Sequence, residues 1–295
     1  MGASPMHPVF EAVTSIGFHG LAFAMVLYLI SVGLSVTMGL MGLVNLAHAV
    51  FAMLGGYVST TLMNRWGVPY AASLAGSAAA TALASVPLER VLYRRLYGGE
   101  ELDQVLLTMG IIFMSVAGVT YVWGPLNQPV YLPHWLDGEI DLGFRHFPTY
   151  RSFLIVCGAV LVTLLWLALE RTRFGATIRA AVDNLRMAQS VGINTSRLFT
   201  LTFALGSGLA GLGGALGAEF LPISPSYALS NLVYFIIVVA VGGLGSIKGP
   251  FVAALLIGIA DTGFKYLLPE LGAFFIYALT MLLLLWRPHG LFGRA

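Results

Sequence analysis

The chain has 295 residues, 58% of them apolar and 9% charged, against roughly 45–50% and about 25% in soluble domains. That composition excludes a water-soluble globular domain, and a net charge of +2 without any Lys/Arg tract gives no footing for nucleic-acid binding. The length therefore reads as a number of membrane spans at about 20 residues each, and the fold class as an all-α integral membrane protein, a polytopic helical bundle in one domain over 1–295.

The first ten residues, MGASPMHPVF, carry no Lys or Arg, so a cleavable signal peptide, which has a cationic start, is not expected. Apolar runs of membrane length follow at about 17–40, 46–63, 70–88, 104–123, 152–169, 199–220, 229–247, 250–268 and 271–286. The second opens on the polar pair Asn45 and His48, beside Gly39, Gly42, Gly55 and Gly56. It reads either as a full span or as a broken or re-entrant segment, so eight to nine spans are expected. Transporters expose backbone groups at such breaks for substrate or gating. Asn45 and His48 are therefore candidates both for the pathway and for bonding a helix break.

Between the fourth and fifth runs, residues 124–150 place Asp137, Glu139 and Asp141 at alternate positions among Pro, Gly and aromatics. Alternation predicts a short external strand or hairpin. Cys157, the single cysteine, lies in the fifth run, where a buried thiol packs as a small hydrophobe. The loop at 170–198 is the most informative segment. Ala176, Ile178, Ala180, Ala181, Val182, Leu185, Ala188 and Val191 suit a short amphipathic helix, which Gly192 ends. Arg179, Asp183, Arg186 and Arg197 keep it out of the bilayer. Such a helix, predicted over about 176–192, either docks in a groove of a cytoplasmic partner or lies on the lipid surface.

In the sixth run, Gly206-Ser207-Gly208-Leu209-Ala210-Gly211 matches Gly-x-Gly-x-x-Gly. Without a preceding strand it does not read as a dinucleotide site. Gly206, Ala210 and Gly214, with Gly213 and Gly217, instead form small-residue ridges for close helix approach. Glu219 ends this run where it can reach water, a vestibule candidate. Asp261 sits inside the eighth run with Lys265 four residues on. That i,i+4 pair softens the cost of burial, and Asp261 is read as helix-to-helix structure or pathway lining. The six histidines form no ligand-spaced cluster, so no metal site is expected. No Gly-x-x-x-x-Gly-Lys-Ser/Thr occurs either, so the chain itself is not expected to hold ATP.

Orientation follows from the cations, which collect in cytoplasmic loops. Arg90, Arg94 and Arg95 fall in 89–103, Arg171, Arg173, Arg179, Arg186 and Arg197 in 170–198, and Arg287 and Arg294 in the tail. With nine spans Lys248 joins them, while Arg65, Arg145, Arg151 and Lys265 fall opposite. The N-terminus is then outside and the C-terminus inside.

Four blocks carry a family resemblance. RAAVDNLRMAQSVGINTSRLFTLTFALGSGLAGLGGAL (179–216) resembles the coupling loop and following span of branched-chain amino acid type permeases of bacterial ABC importers. GLMGLVNLAHAVFAMLGGY (39–57), GGLGSIKGPFVAALLIG (242–258) and WRPHGLFGR (286–294) resemble further blocks of that family. They are spread from the first span to the end of the chain, so the resemblance runs over essentially its whole length, in the style of the shorter of the two permease types. The coupling pattern Glu-Ala-Ala followed by Gly is occupied here by Arg186-Met187-Ala188 with Gly192 in register, so its acidic lead residue is replaced by Arg.

The resemblance implies a permease subunit of the bacterial cytoplasmic membrane, not an enzyme, importing branched-chain or other amino acids or amides. It implies a second permease chain, two cytoplasmic ATPases carrying ATP and Mg, and an external solute-binding protein. Arg179, Asp183, Asn184, Arg186, Ala188 and Gly192 would then contact the ATPase. An ion-coupled secondary transporter or channel working through Asp261 and Glu219 is the alternative.

Overall fold

The computed structural model describes residues 8–141, 146–246, 248–288 and 290–292. Arg145 and Arg294, two of the cations used for orientation, and the first seven residues lie outside them. The chain folds into helices α1 (Pro8–Met41), α2 (His48–Trp66), α3 (Tyr70–Val91), α4 (Glu101–Trp123), α5 (Thr149–Arg171), α6 (Arg173–Asp183), α7 (Leu185–Ser190), α8 (Thr195–Leu216), α9 (Tyr227–Gly242), α10 (Lys248–Leu267) and α11 (Gly272–Trp286). Between α4 and α5, strands β1 (Glu139–Asp141) and β2 (His146–Pro148) pair antiparallel, with Ile140 opposite Phe147. Of the alternating acids, Glu139 and Asp141 thus lie on a small hairpin.

Among the described residues, α1, α3, α4, α5, α8 and α10 are long and apolar enough to cross a membrane, and α9 and α11 are shorter apolar helices. The protein is a multi-pass membrane bundle. The second run, left open between span and re-entrant segment, is one continuous helix of 19 residues, about 28 Å at 1.5 Å per residue. The break lies just before it. α1 ends at Met41, Gly42 turns with φ +59°, and the chain stays non-helical until His48.

Helices α1 and α8 form the centre, with α2, α3 and α10 packed against them. Lipid is as apolar as a leucine side chain, so close van der Waals approach decides which helices associate. Small residues permit it here. A Cβ on Gly33 of α1 would lie 2.4 Å from the Gly206 carbonyl, and one on Gly214 would lie 2.0 Å from the Ala52 carbonyl of α2. The Gly-x-Gly-x-x-Gly run is therefore a packing seam inside α8. α4, α5 and α11 lie outermost and expose Phe113, Met114, Val156, Val160, Phe274 and Leu282.

Contacts sort the connections to two ends. Thr200 at the start of α8 meets Glu89 at the end of α3. Lys248 at the start of α10 meets Glu170 at the end of α5. Gly245 bonds Ser35 of α1, and Leu291 bonds Val241. One end thus gathers Arg90, Arg94, Arg95, Arg171, Arg173, Arg179, Arg186, Arg197, Lys248 and Arg287. The other holds Arg65, Arg151 and Lys265.

Candidate functional site

The basic end carries the two short helices α6 and α7. Three side-chain caps shape it. Thr172 accepts the Gly175 amide at 3.2 Å and starts α6. Asn184 accepts the Met187 amide at 3.0 Å and starts α7, and Asn194 accepts the Arg197 amide at 3.0 Å and starts α8. Each cap satisfies one of the amides a helix start leaves unpaired. The single helix expected over 176–192 is therefore two. At Asn184 the backbone turns extended, φ −156° and ψ 100°, because its side chain competes with the helix it would otherwise continue.

α7 ends in a left-handed turn. Gly192 has φ +88°, its amide bonds the Gln189 carbonyl at 3.0 Å, and the Ile193 amide reaches back to the Ala188 carbonyl at 3.1 Å. This paired closure needs a residue that enters the left-handed region freely. Ala188 is buried, whereas Met187 and Val191 are 66% and 73% exposed and Arg186 is exposed beside them. Apolar side chains this bare, outside the spans and next to a cation, form a knob suited to a partner's groove.

α6 faces inward instead. Its hydrophobic side buries Ile178 and Ala181. Arg179 donates to the Leu169 carbonyl and lies 3.9 Å from Glu170, which lies 3.7 Å from Lys248. Arg179, expected at the partner surface, thus straps α6 to α5 and α10. Beneath the strap is a cavity of about 760 Å³, lined by Val36, Gly39, Val182, Asp183, Gly245 and Lys248 among others.

Residues 16–284 match the family model described as the branched-chain amino acid transport system permease component. The chain belongs to that family. It is 29% identical over 295 residues to the high-affinity branched-chain amino acid transport system permease protein LivH of Escherichia coli, covering 94% of both chains. It is 30% identical over 292 residues to the corresponding permease protein BraD of Pseudomonas aeruginosa, again covering 94% of both. To the permease protein LivM of Escherichia coli it is 25% identical, over 90% of this chain and 68% of the relative. No solved structure matches the chain.

In this permease the intramembrane candidates fall at separate places. Asn45 lies in the break between α1 and α2 and accepts the Tyr93 hydroxyl at 3.0 Å. His48 is the first residue of α2 and donates from Nε2 to the Ile30 carbonyl at 3.1 Å. Both are buried, and the Asn45 Nδ2 and His48 Nδ1 atoms have no partner among the described residues. The pair therefore braces the break from two sides.

Glu219 is exposed just past α8. Burial of neighbouring surface pushes its carboxyl up, and Arg151 opposes that shift. Arg151 bonds His19 at 2.6 Å and covers the Phe220 ring. The far end thus has a mixed-charge cluster of its own.

Asp261 and Lys265 form the expected pair at 2.7 Å, joined by the Tyr234 hydroxyl at 3.4 Å from Asp261 and 3.2 Å from Lys265. Asp261 is 3% exposed, whereas the Lys265 side chain is 48% exposed. Lys265 can turn to water or headgroups when its partner is lost, but Asp261 cannot. Lys265→Met should therefore destabilise the detergent-solubilised permease by about 3 kcal/mol, the low end for stranding one member of a buried pair. Asp261→Asn should cost distinctly less. Thermal unfolding of both variants checks the order, and equal or reversed losses would show that the pair is not set by burial.

The sequence reading missed Glu89, which is 0% exposed. It accepts the Tyr97 hydroxyl and the Thr200 hydroxyl, each at 2.7 Å, and lies 3.6 Å from Arg94. Its position among the arginines of 89–103 made it look solvated. The available signal was its place in the last turn of α3, where a buried acid can meet an arginine that follows, here Arg94.

Proposed function

We propose that this permease is one half of an ATP-driven importer of branched-chain amino acids in the bacterial cytoplasmic membrane. The reading is carried by the family match over 16–284, which runs from within α1 to within α11. The substrate class comes from the names of LivH and BraD. The likeness to LivM supports a second, homologous permease chain as the other half of the path. The basic end faces the cytoplasm, since cations collect there, which puts the N-terminus outside and the C-terminus inside.

On this reading two cytoplasmic ATPases, holding ATP and Mg, receive the α7 knob through Met187, Val191 and Arg186. An external solute-binding protein delivers substrate to the opposite end. ATP-driven movement of the ATPases displaces α7, Gly192 passes the displacement to α8, and α8 moves the helices packed on it. This chain contributes helix motion and half of a path.

The test is uptake of labelled leucine by vesicles containing both permeases, with ATPases, ATP and binding protein supplied. Uptake should require every component. Leucine movement by this chain alone, driven by an ion gradient, would return the reading to an ion-coupled transporter.

A further inference from the structure

The seam between α3 and α8 is lined by small residues and has no polar tie between the helices along most of its length. Gly208 meets Ala78 and Ala82, and Gly211 meets Thr81. The buried hydroxyls of Ser77, Thr81 and Ser85 bond carbonyls of α3 itself, those of Leu74, Ser77 and Ala82. Among the described residues, the polar ties from α3 and the turn after it to α8 converge on Thr200. Glu89 accepts the Thr200 hydroxyl, and Arg94 donates to the same oxygen at 3.4 Å. A helix pair with small residues along the seam and one charged tie at its end has its register set at that end. A hydrogen bond to an ionised group is about twice as strong as a neutral one.

The tie does not stop at α8. Tyr97, whose hydroxyl donates to Glu89, sets its ring edge-on to Phe199 with centroids 5.2 Å apart. Tyr93, in the same turn, donates to Asn45 and lies 4.9 Å from Phe203. Gln104, at the start of α4, donates to the Leu96 and Gly99 carbonyls and accepts the Val44 amide at 2.9 Å. A continuous set of bonds therefore runs from the second turn of α8, through the α3–α4 corner, to the break at 42–47.

We infer that Glu89 is a positioning residue that pins the α3–α4 corner to α8, so that displacement of α7 reaches the helix break at 42–47 in step with α8. This rests on the proposal that α7 receives the ATPase. Without the pin, the α3–α4 corner would lag behind α8, and its ties to Asn45 and Val44 would hold the break back while α1 and α2 moved with α8, so ATP would be hydrolysed without opening the path.

The experiment uses the whole complex in vesicles and reads two rates, leucine uptake and ATP hydrolysis. Glu89→Gln keeps the shape but removes the charge facing Arg94, and Thr200→Val removes the shared hydroxyl. In both, uptake per ATP should fall about tenfold, the scale of one charged hydrogen bond, with hydrolysis and permease yield within about twofold of the parent. Tyr97→Phe, which removes a single neutral donor, should fold normally and lose uptake per ATP to a smaller degree. An unchanged ratio in the well-folded Tyr97→Phe and Thr200→Val variants would overturn the pin, as would uptake and hydrolysis falling together. Failure of the parent complex to use ATP for uptake would instead overturn the underlying function.

Discussion

Gly192→Val should reduce ATP-driven uptake by at least about tenfold while leaving membrane insertion and yield close to normal. A valine Cβ has room at this position, since nothing lies within 4 Å. The obstacle is the backbone. At φ +88° a β-branched residue meets its own carbonyl, at a cost of about 1–3 kcal/mol. The chain can relieve that cost only by abandoning the turn and with it the Ile193–Ala188 and Gly192–Gln189 bonds. α7 then leaves α8 in a new direction, and Met187 and Val191 no longer present the same surface. The spans are held by their own packing, so the fold should survive. Gly192→Asn is the matched control, because asparagine enters the left-handed region several-fold more often than other residues. It should retain most of the uptake. Normal uptake by a well-expressed Gly192→Val variant would show that the turn is not the mechanical link.

The features legible in the sequence were those with a local cause. Apolar runs located the six long apolar helices and the two shorter ones found among the described residues, and α2 besides, because a span must satisfy its backbone internally and be apolar outward. Gly192 was legible as a stop and Lys265 as the partner of Asp261, since both depend on near neighbours in the chain. The split of the helix predicted over 176–192 was not legible. Asn184 suits a helix surface as well as a cap, and only the backbone turn separates the two. The tie from Arg179 to Glu170 and the Leu169 carbonyl was not legible either, because both acceptors lie on another helix. Glu89 was hidden for the same reason. Its burial is made by Thr200, 111 residues away, and no local pattern marks a carboxylate that will be enclosed by a distant helix.

The second large effect separates space from backbone conformation. Gly55 sits inside α2 with ordinary helical geometry, where alanine is intrinsically better by roughly 0.5–1 kcal/mol. Yet a Cβ there would lie 2.1 Å from the Gly211 carbonyl oxygen and 2.3 Å from its Cα, and a backbone contact cannot swing aside as a side chain can. α2 and α8 would have to move apart by more than an ångström, which also loosens the neighbouring Gly214–Ala52 approach. Interior packing loses a quarter to a half of each contact with gaps of about that size. Gly55→Ala should therefore lower the yield of folded, monodisperse permease severalfold, at the upper end of the about 1–3 kcal/mol that overpacking costs, and Gly55→Val should abolish it. Gly110→Ala, on the exposed side of α4 with nothing within 4 Å, should be neutral or slightly stabilising. Size-exclusion profiles of the three variants in mild detergent decide the matter. A Gly55→Val permease eluting as the parent does would mean that the α2–α8 approach is not close enough to exclude a side chain.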